Sequence, residues 1–353
     1  MIASVQRRAQ PVSKTDLDEV LALAREPLAE LRNERIFISG GTGFFGMWLL
    51  ETLVHANRVL GLGCRIAVLT RRPEEFAARA PHLAGLSEIA PIRGDVRSFD
   101  FPSGTFSHVI HAAAELSTRQ NANEPGELLD TMVGGTAHVL DLAERSGTSR
   151  LLLVSSGAVY GRQPPDLARI PEGWPGGPDP LDPCSAYAEG KRTAELLCAI
   201  RSRGKALEVK VARCFAFVGP HLPLDGHFAV GNFIRDGLRG GPIEVRGDGT
   251  PRRSYLYPVD LVSWLLNIFA RGQRLRPYNV GSPDDVSIAE LANLVSRAFP
   301  SPPEVVVCGQ TVPGSPPERY VPEVSRAADE LGLRPTVGLE EGLKRTVSWH
   351  SNR

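Results

Sequence analysis

Short apolar runs alternate with amphipathic stretches along the first two thirds of the chain. The apolar runs are rich in β-branched and aliphatic residues, and they predict strands at 36–38, 65–70, 90–95, 107–114, 149–156 and 207–219. The stretches between them, such as 135–147, repeat apolar positions at the helical period. Strands that alternate with helices pair in parallel, because each crossover returns the chain to the same end of the sheet. The pattern therefore predicts an α/β fold with a parallel, doubly wound sheet.

A glycine-rich turn follows the first predicted strand directly. In RIFISGGTGFFGMWLLETLV (35–54), Gly40, Gly43 and Gly46 separate the strand from an apolar helical pattern. Glycine lets backbone N–H groups approach a ligand closely, and the dipole of a helix N-terminus favours negative charge. A strand, a glycine-rich turn and a helix in this order predict a site for the pyrophosphate of a dinucleotide.

The residues before this turn predict a separate helix. The stretch 15–34 has helical spacing, with Thr15 as the expected N-cap and Pro27 as a break or kink. We expect this helix to pack on the outside of the domain, without a role in the chemistry. The proline- and glycine-rich stretch 161–184 predicts a surface loop that frames the cleft.

The pattern of the sequence changes near residue 220, where short segments separated by proline and glycine replace the regular alternation of predicted strands and helices. We therefore expect a smaller C-terminal lobe, interleaved with the sheet. The predicted division is an N-terminal helical extension at 1–34, a dinucleotide-binding domain at 35–219 and a mainly substrate-binding lobe at 220–353.

Composition narrows the class of protein. The 353 residues carry 40 basic and 40 acidic side chains, so no overall field favours nucleic acid or an acidic membrane. No apolar run approaches the roughly 20 residues that a membrane span requires, and the first residues lack the apolar core of a secretory signal. The five cysteines show neither a CxxC pair nor a metal-ligand spacing. We expect a cytoplasmic protein with reduced thiols and no bound metal.

Tyr187 and Lys191 lie four residues apart at the start of a predicted helix, so their side chains project from one face. An ammonium beside a phenol lowers the pKa of the phenol, and we expect Lys191 to act on Tyr187 in this way. A tyrosine tuned like this exchanges a proton with an alcohol oxygen near neutral pH. Ser156, at the end of a predicted strand, is expected to give the same oxygen a second hydrogen bond. These three residues form the predicted catalytic set.

Several motifs in order resemble those of one family. GGTGFFG (40–46), HAAAE (111–115), SSGAVYG (155–161) and YAEGK (187–191) resemble the extended short-chain dehydrogenase/reductase family, while GDGTPRRSYLYPVDL (247–261) and YNVGSP (278–283) resemble its nucleotide-sugar epimerase/dehydratase branch. The resemblance covers about residues 35–350. It implies a Rossmann-type domain that holds NAD(P), a C-terminal lobe that holds a nucleoside-diphosphate sugar, and, by analogy, a homodimer.

The resemblance also implies roles for the catalytic set. Tyr187 is the expected acid and base, Lys191 contacts the nicotinamide ribose, and Ser156 contacts the reacting hydroxyl. The turn, the strand ends and these motifs together give the expected cofactor-binding residues: Gly40, Thr42, Gly43, Phe44, Phe45, Gly46, Arg71, Arg72, Asp95, Val96, Ala112, Ala113, Ala114, Tyr187 and Lys191. Asp95 resembles the family's adenine-contacting acid.

Two departures from the family bear on the chemistry. Gly157 and Ala158 stand where the family's 4,6-dehydratases carry an Asp-Glu pair and its decarboxylases a glutamate in the second position. Neither side chain can move a proton, so dehydration and decarboxylation are disfavoured. The strand at 65–70 is followed by Arg71 and Arg72, where NAD-preferring members place an acid for the ribose 2′-hydroxyl. Guanidinium groups suit a 2′-phosphate, so we expect NADP, with NAD left open.

On the substrate side, Arg253 resembles the arginine that pairs with the diphosphate of the sugar nucleotide, a role that suits its forked guanidinium. Asn232 and Arg319 resemble further contacts to the phosphates or the nucleoside ribose. Met132 and Ala216 stand where the family often has asparagine, a departure that points to an unusual sugar.

These features predict a nucleotide-sugar epimerase that oxidises C4 to a transient keto sugar and returns the hydride to the other face. The alternative is an NADPH-dependent 4-ketoreductase, which needs the same serine, tyrosine and lysine. A non-catalytic nucleotide sensor is a third reading, disfavoured because a sensor has no need for a proton relay.

Overall fold

The computed structural model of the chain describes residues 10–113, 124–226, 228–311, 314 and 316–351. Its strands are β1 Arg35–Ser39, β2 Arg65–Thr70, β3 Ile89–Arg93, β4 His108–His111, β5 Arg150–Ser156, β6 Glu208–Cys214, β7 Ile243–Val245, β8 Arg252–Ser254, β9 Pro277–Val280, β10 Asp285–Ser287, β11 Val305–Val307 and β12 Arg319–Tyr320. Its α-helices are α1 Lys14–Leu23, α2 Arg25–Ala29, α3 Phe44–Leu60, α4 Pro73–Arg79, α5 Pro81–Ala84, α6 Pro125–Arg145, α7 Ala186–Ser202, α8 Ala229–Leu238, α9 Pro258–Arg271, α10 Ile288–Arg297, α11 Ser325–Leu331 and α12 Leu339–Ser351.

Seven strands form the central sheet, in the order β3-β2-β1-β4-β5-β6-β9. Every neighbouring pair in it is parallel. The direction of winding reverses between β1 and β4, which is where open α/β sheets form a ligand-binding crevice at the carboxyl ends of their strands. The predicted fold class, a doubly wound Rossmann-type sheet, is confirmed.

Side chains alternate between the two faces of this sheet and so create two cores. Ile36 and Ile38 in β1 join the apolar cluster that contains α3 and α9, whereas Phe37 between them joins the cluster that contains α6 and α7. This alternation follows from the two-residue period of a strand. Helices therefore cover both faces, and the strand ends are left to carry ligands.

The N-terminal helical segment differs in detail from its prediction. Helix α1 begins at Lys14, and the side chain of Ser13 accepts a hydrogen bond from the backbone N–H of Asp16, so Ser13 rather than Thr15 is the N-cap. The helix is interrupted at Ala24, three residues before Pro27. Pro27 lies in the first turn of α2, where a backbone N–H has no acceptor within the helix, so the lack of one in proline costs no hydrogen bond. Helix α1 packs against α3 and α9 as an added outer layer.

The residues after β6 build two small sheets, with strand orders β10-β8-β12 and β11-β7. A third apolar cluster unites β7, β10 and β11 with α8, α10 and α12. At the same time β9 joins the central sheet beside β6, and α9 packs on the sheet. The C-terminal residues are thus interleaved with the sheet, while the boundary at residue 219 stays a prediction.

The loop at 161–184 packs away from the crevice. Ile170 is buried with Val159 and Tyr160, and its backbone pairs with residues around Pro322. None of the residues 161–184 lines the crevice described below, so this loop supports the wall from behind rather than framing it. In the part of the chain that is described, no helix combines the length and apolar character needed to cross a membrane.

Candidate active site

The glycine-rich turn between β1 and α3 has the geometry of a phosphate cradle. Gly40 has φ of 74°, in the left-handed region, and a Cβ there would lie 2.6 Å from the backbone of Ala112. A Cβ on Gly46 would lie 2.3 Å from the carbonyl oxygen of Gly40, so glycine is required for α3 to start against the turn. The N–H groups of the first turn of α3 are left without helical acceptors and are available to an anion.

This turn opens into a cleft of about 1120 Å³ at the carboxyl ends of β1, β2, β4, β5 and β6. The predicted cofactor residues that line it are Gly40, Thr42, Gly43, Phe44, Phe45, Arg71, Arg72, Asp95, Val96, Ala112, Ala113, Tyr187 and Lys191. Gly46 lies behind the turn as a packing residue, and Ala114 lies outside the described residues. The cleft extends past the catalytic set to residues of the C-terminal part, such as Arg253 and Tyr320.

Four arginines line one end of the cleft: Arg71, Arg72, Arg79 and Arg97. Arg97 forms a two-pronged contact with Asp95, at 2.9 and 3.0 Å, and this hydrogen bonding lowers the pKa of the Asp95 carboxyl. Arg72 pairs with Glu75 on the surface. Arg79 is a residue that sequence reasoning missed: it reaches from α4 to the carbonyl oxygen of Thr42 in the glycine turn.

The residues of the predicted catalytic set line one cleft, on two neighbouring elements. Ser156 ends β5, and α7 presents Tyr187 and Lys191 to the same wall of the cleft. The Nζ atom of Lys191 donates a hydrogen bond of 2.8 Å to the carbonyl oxygen of Val154. The hydroxyl of Ser156 accepts one of 3.1 Å from the backbone N–H of Ala158, which fixes the serine at the strand end.

The predicted effect of Lys191 on Tyr187 is wrong for the described structure. Burial raises the pKa of Tyr187 to about 12, opposed by a hydrogen bond with the side chain of Ser156, and Lys191 is not among the groups that shift it. Burial also lowers the pKa of Lys191 to about 8. The physical reason is that desolvation penalises both charged forms, while the ammonium is turned towards Val154.

One helical turn beyond Lys191, Glu195 anchors α7 to the sheet. Its carboxylate accepts hydrogen bonds from the hydroxyl of Ser155 at 2.6 Å and from the guanidinium of Arg213 at 2.6 and 3.0 Å. Arg213 in turn donates to the hydroxyl of Tyr160 at 3.0 Å. Buried charges are tolerated where they are paired and hydrogen-bonded. This network holds the helix that carries Tyr187 in a fixed place relative to β5.

Tyr320 lines the cleft although sequence reasoning did not predict it as a site residue. A Cβ on Gly157 would lie 2.7 Å from the hydroxyl oxygen of Tyr320 and 2.7 Å from the ring of Phe215. The rings of Tyr320 and Phe215 pack against each other at a tilt of 34°, with centroids 4.7 Å apart. The space beside Ser156 is therefore filled by a phenol from β12 rather than by a side chain at 157.

The register of two short strands decides which residues reach the cleft. Strands β8 and β12 are parallel, with Arg252 beside Arg319 and Arg253 beside Tyr320. Arg253 and Tyr320 line the cleft, whereas Arg252 and Arg319 both pair with the carboxylate of Asp285. Arg253, a predicted substrate residue, thus lines the cleft, whereas the predicted substrate residue Arg319 does not. Adjacent residues of a strand face opposite sides, so only one of Arg319 and Tyr320 can face the cleft.

Asn232 lies in a second cavity of about 730 Å³, together with Arg235, Arg246 and Asp248. Its side-chain oxygen accepts a hydrogen bond of 2.9 Å from Arg235. The second cavity shares Ala229, Pro251 and Ile288 with the main cleft, so the two cavities are neighbours. Asn232 lines the second cavity and not the main cleft.

Met132 and Ala216, which stand where the family often has asparagine, have different structural roles. Met132 is buried, and its Cε atom lies 2.7 Å from the position that a Cβ on Gly190 would take, so it packs α6 closely against α7. Ala216 is half-buried and lines the cleft after β6. Among the described residues, no group of three or more histidine, cysteine or acidic side chains could hold a metal ion.

Comparison with known proteins places this site in a family. The sequence profile of the NAD dependent epimerase/dehydratase family matches residues 36–281. UDP-glucuronic acid decarboxylase 1 of Arabidopsis thaliana is 33% identical over 323 residues, which span 90% of this chain and 70% of that protein. The chain therefore belongs to the NAD dependent epimerase/dehydratase family, as its motifs predicted.

Solved structures show the same fold. The UDP-glucose 4-epimerase of Thermotoga maritima, determined with UDP-glucose, superposes with a TM-score of 0.74 at 22% identity and covers 90% of this chain and 99% of its own. MoeE5, determined in complex with UDP-glucose and NAD, has a TM-score of 0.73 at 28% identity with coverage of 90% and 99%. The chain is thus an NAD(P)-dependent enzyme of the nucleotide-sugar class, and which reaction it catalyses is a separate question.

Proposed function

We propose that this chain is a nucleotide-sugar epimerase that inverts C4 through a transient 4-keto sugar. The observation that carries the proposal is the position of Ser156, Tyr187 and Lys191 on one wall of the NAD(P) cleft. Gly157 and Ala158 follow Ser156 directly in the sequence. A serine, a tyrosine and a lysine suffice to move one proton at one carbinol. Elimination of water needs a further acid and base, which neither glycine nor alanine supplies.

The residues present fit the cofactor. The glycine turn, with a left-handed Gly40 and no room for a Cβ on Gly46, leaves space and N–H donors for a pyrophosphate. When bound, NAD(P) supplies a hydride acceptor that also returns the hydride. Arg71, Arg72, Arg79 and Arg97 all line one end of the cleft, which supports a preference for NADP, because guanidinium groups suit a 2′-phosphate.

Tyr187 is proposed to take the proton of the C4 hydroxyl and to give it back after the keto sugar has turned over. Because burial raises its pKa to about 12, the phenol is neutral at pH 7 and needs nearby positive charge to act as a base. Lys191 uses one donor on Val154, and an ammonium has three. Its remaining donors can serve a ribose hydroxyl and the phenol together.

Two other reactions have a supporting observation each. Reduction of a 4-keto sugar by NADPH is supported by the arginine cluster. Decarboxylation of a nucleotide-linked uronic acid is supported by the identity of 33% to the Arabidopsis decarboxylase, but it is disfavoured by Gly157 and Ala158. All three reactions use the same first contact between Tyr187 and the C4 oxygen.

An assay of product structure separates these reactions. The purified protein is incubated with UDP-glucose, UDP-glucuronic acid or dTDP-glucose and catalytic NAD⁺ or NADP⁺, without reduced cofactor, and the products are followed by NMR. Interconversion of C4 epimers is the expected result. Loss of carbon dioxide from the uronic acid supports decarboxylation, and accumulation of a 4-keto-6-deoxy sugar supports dehydration. In a parallel incubation with a nucleotide-linked 4-keto sugar and NADPH, consumption of one NADPH per 4-keto sugar, without any turnover in the first assay, supports the reductase.

A further inference from the structure

Three hydroxyl groups converge at the end of β5, although the predicted set accounts for only two of them. Side-chain hydrogen bonding with Ser156 opposes the rise in the pKa of both Tyr187 and Tyr320, and the two phenols also interact electrostatically. Tyr320 comes from β12, more than 130 positions further along the chain than Tyr187. Its place beside Ser156 is made by Gly157, since a Cβ there would lie 2.7 Å from its hydroxyl oxygen.

Ser156 can take a further partner at this strand end. The oxygen of Ser156 has two lone pairs, and one accepts from the N–H of Ala158. Its other lone pair and its own O–H are available to a phenol or to a ligand. Tyr187 and Tyr320 both line the cleft, so each phenol can present its O–H to a ligand there.

Tyr187 and Tyr320 have different neighbours, which suit the two phenols to different roles. Tyr187 shares α7 with Lys191, a cation that can support its deprotonation. The ring of Tyr320 packs at a tilt against Phe215, and the guanidinium of Arg253 lies 6.0 Å from the centre of the Tyr320 ring. Because Arg253 approaches the ring rather than the hydroxyl, the phenol of Tyr320 remains a neutral donor; burial also raises its pKa above the usual value.

We propose that Tyr320 is a substrate-contacting residue whose neutral phenol donates a hydrogen bond to a sugar hydroxyl next to the reacting carbinol, from the space that a side chain at 157 would otherwise fill. This inference rests on the proposed use of a nucleotide sugar. It adds a donor and no second base, so it is compatible with chemistry at a single carbinol. The residue positions the sugar ring relative to Tyr187 and does not exchange a proton with it.

A spectroscopic test detects the contact without relying on turnover. 3-Fluorotyrosine is placed at residue 320, or at the buried Tyr278 as the matched control, in the protein with bound NAD⁺. The ¹⁹F signal at 320 is expected to shift with UDP-glucose, UDP-glucuronic acid or dTDP-glucose, whichever binds by calorimetry, and not with UDP or dTDP. The signal at 278 is expected to stay in place with every ligand.

Kinetics of two variants test the role. Tyr320→Phe is expected to raise KM for the sugar nucleotide about tenfold, the effect of about 1.4 kcal/mol from one lost hydrogen bond, with kcat within about threefold. Tyr278→Phe is expected to leave KM unchanged.

The outcomes separate this inference from the proposed function. A ¹⁹F signal at 320 that does not respond to a bound sugar nucleotide overturns the inference alone, as does an unchanged KM or a loss confined to kcat in Tyr320→Phe. A shifted signal without any C4 epimerisation keeps the contact and overturns the epimerase. Failure of every sugar nucleotide to bind overturns both.

Discussion

The Nζ atom of Lys191 donates a hydrogen bond across 2.8 Å to the carbonyl oxygen of Val154, two residues before the end of the strand that carries Ser156. The bond ties α7 to β5 through the side chain that also faces the cofactor cleft. It also fixes the ammonium within reach of the cleft, because Lys191 is only 4% exposed and has little freedom to move.

Removal of the Tyr187 hydroxyl tests the proton relay. Tyr187→Phe is expected to lower kcat by about 10²- to 10⁴-fold, the usual contribution of a positioned acid or base. Cofactor affinity and the free energy of unfolding are expected to change little, since only one hydroxyl is lost. Steady-state kinetics, NAD(P) titration and urea unfolding measure the three quantities. Turnover within tenfold of the wild type would show that another group moves the proton.

The close packing of the glycine turn predicts a difference in the free energy of unfolding between alanine variants at Gly43 and Gly46. Gly46→Ala would place a Cβ 2.3 Å from backbone atoms of Gly40 and Gly41, whereas in Gly43→Ala the nearest such atom is 3.4 Å away. We expect Gly46→Ala to lower the free energy of unfolding by about 1–3 kcal/mol, as overpacking does, and Gly43→Ala to leave it within about 0.5 kcal/mol. Urea unfolding of both variants checks this. Equal stability of the two variants contradicts the close approach of α3 to the turn.

The arginine cluster predicts cofactor choice. If Arg71 contacts a 2′-phosphate, Arg71→Ala is expected to weaken NADP by about 10- to 100-fold, which corresponds to about 1.5–3 kcal/mol for hydrogen bonds to a charged group, and NAD by less than about threefold. Arg93 is an exposed arginine outside the cleft, and Arg93→Ala is the matched control. Fluorescence titration with both cofactors gives the constants. Equal weakening of NAD and NADP would remove the basis for an NADP preference.

Buried thiols predict a loss of stability at alkaline pH. Burial raises the pKa of Cys64, Cys198 and Cys214 to about 12, whereas an exposed thiol has a pKa of 9.0. Their stabilisation is complete below pH 9 and is lost as the pH rises towards 12, because the unfolded chain releases a proton that the native state keeps. Each such thiol lowers the free energy of unfolding by about 1.4 kcal/mol per pH unit in that window.

One variant isolates this effect. Cys198→Ala removes a titrating group from α7 and is expected to make the decline between pH 9 and 11 shallower by about that amount. Val139→Ala creates a comparable cavity in the same apolar cluster without removing a titrating group, so it is expected to keep the wild-type slope. Urea unfolding at several pH values gives the slopes. Parallel curves for the wild type and Cys198→Ala would refute the assignment.

The sequence predicted the fold, and it predicted that Ser156, Tyr187 and Lys191 line one cleft, because both depend on local patterns. The strand at 65–70 and the spacing of Tyr187 and Lys191 are visible in a few consecutive residues. Tyr320 was missed because its role depends on a contact with Gly157, which is distant in sequence and carries no side chain to signal it. Arg319 was chosen instead of its neighbour because a two-residue strand has no periodicity from which to infer which side faces the cleft.

The pKa of Tyr187 could not be predicted for a related reason. Spacing on α7 shows that Lys191 shares a face with the tyrosine, but not how deeply both are buried or that Val154 takes a proton of the ammonium. Desolvation depends on the whole wall of the cleft, including strands from distant parts of the chain. Spacing can nominate a catalytic pair, while its electrostatics require the assembled site.

The fate of the hydrogen at C4 tests the central claim most directly. The protein is given UDP-glucose, UDP-glucuronic acid or dTDP-glucose deuterated at C4, with catalytic unlabelled NAD⁺ or NADP⁺, and the product is analysed by NMR and mass spectrometry. The account predicts the C4 epimer with deuterium still on C4, because the same hydride leaves and returns. Deuterium on C6, deuterium lost from the product, retention in a sugar that has lost carbon dioxide, or no reaction with any of the three would contradict it.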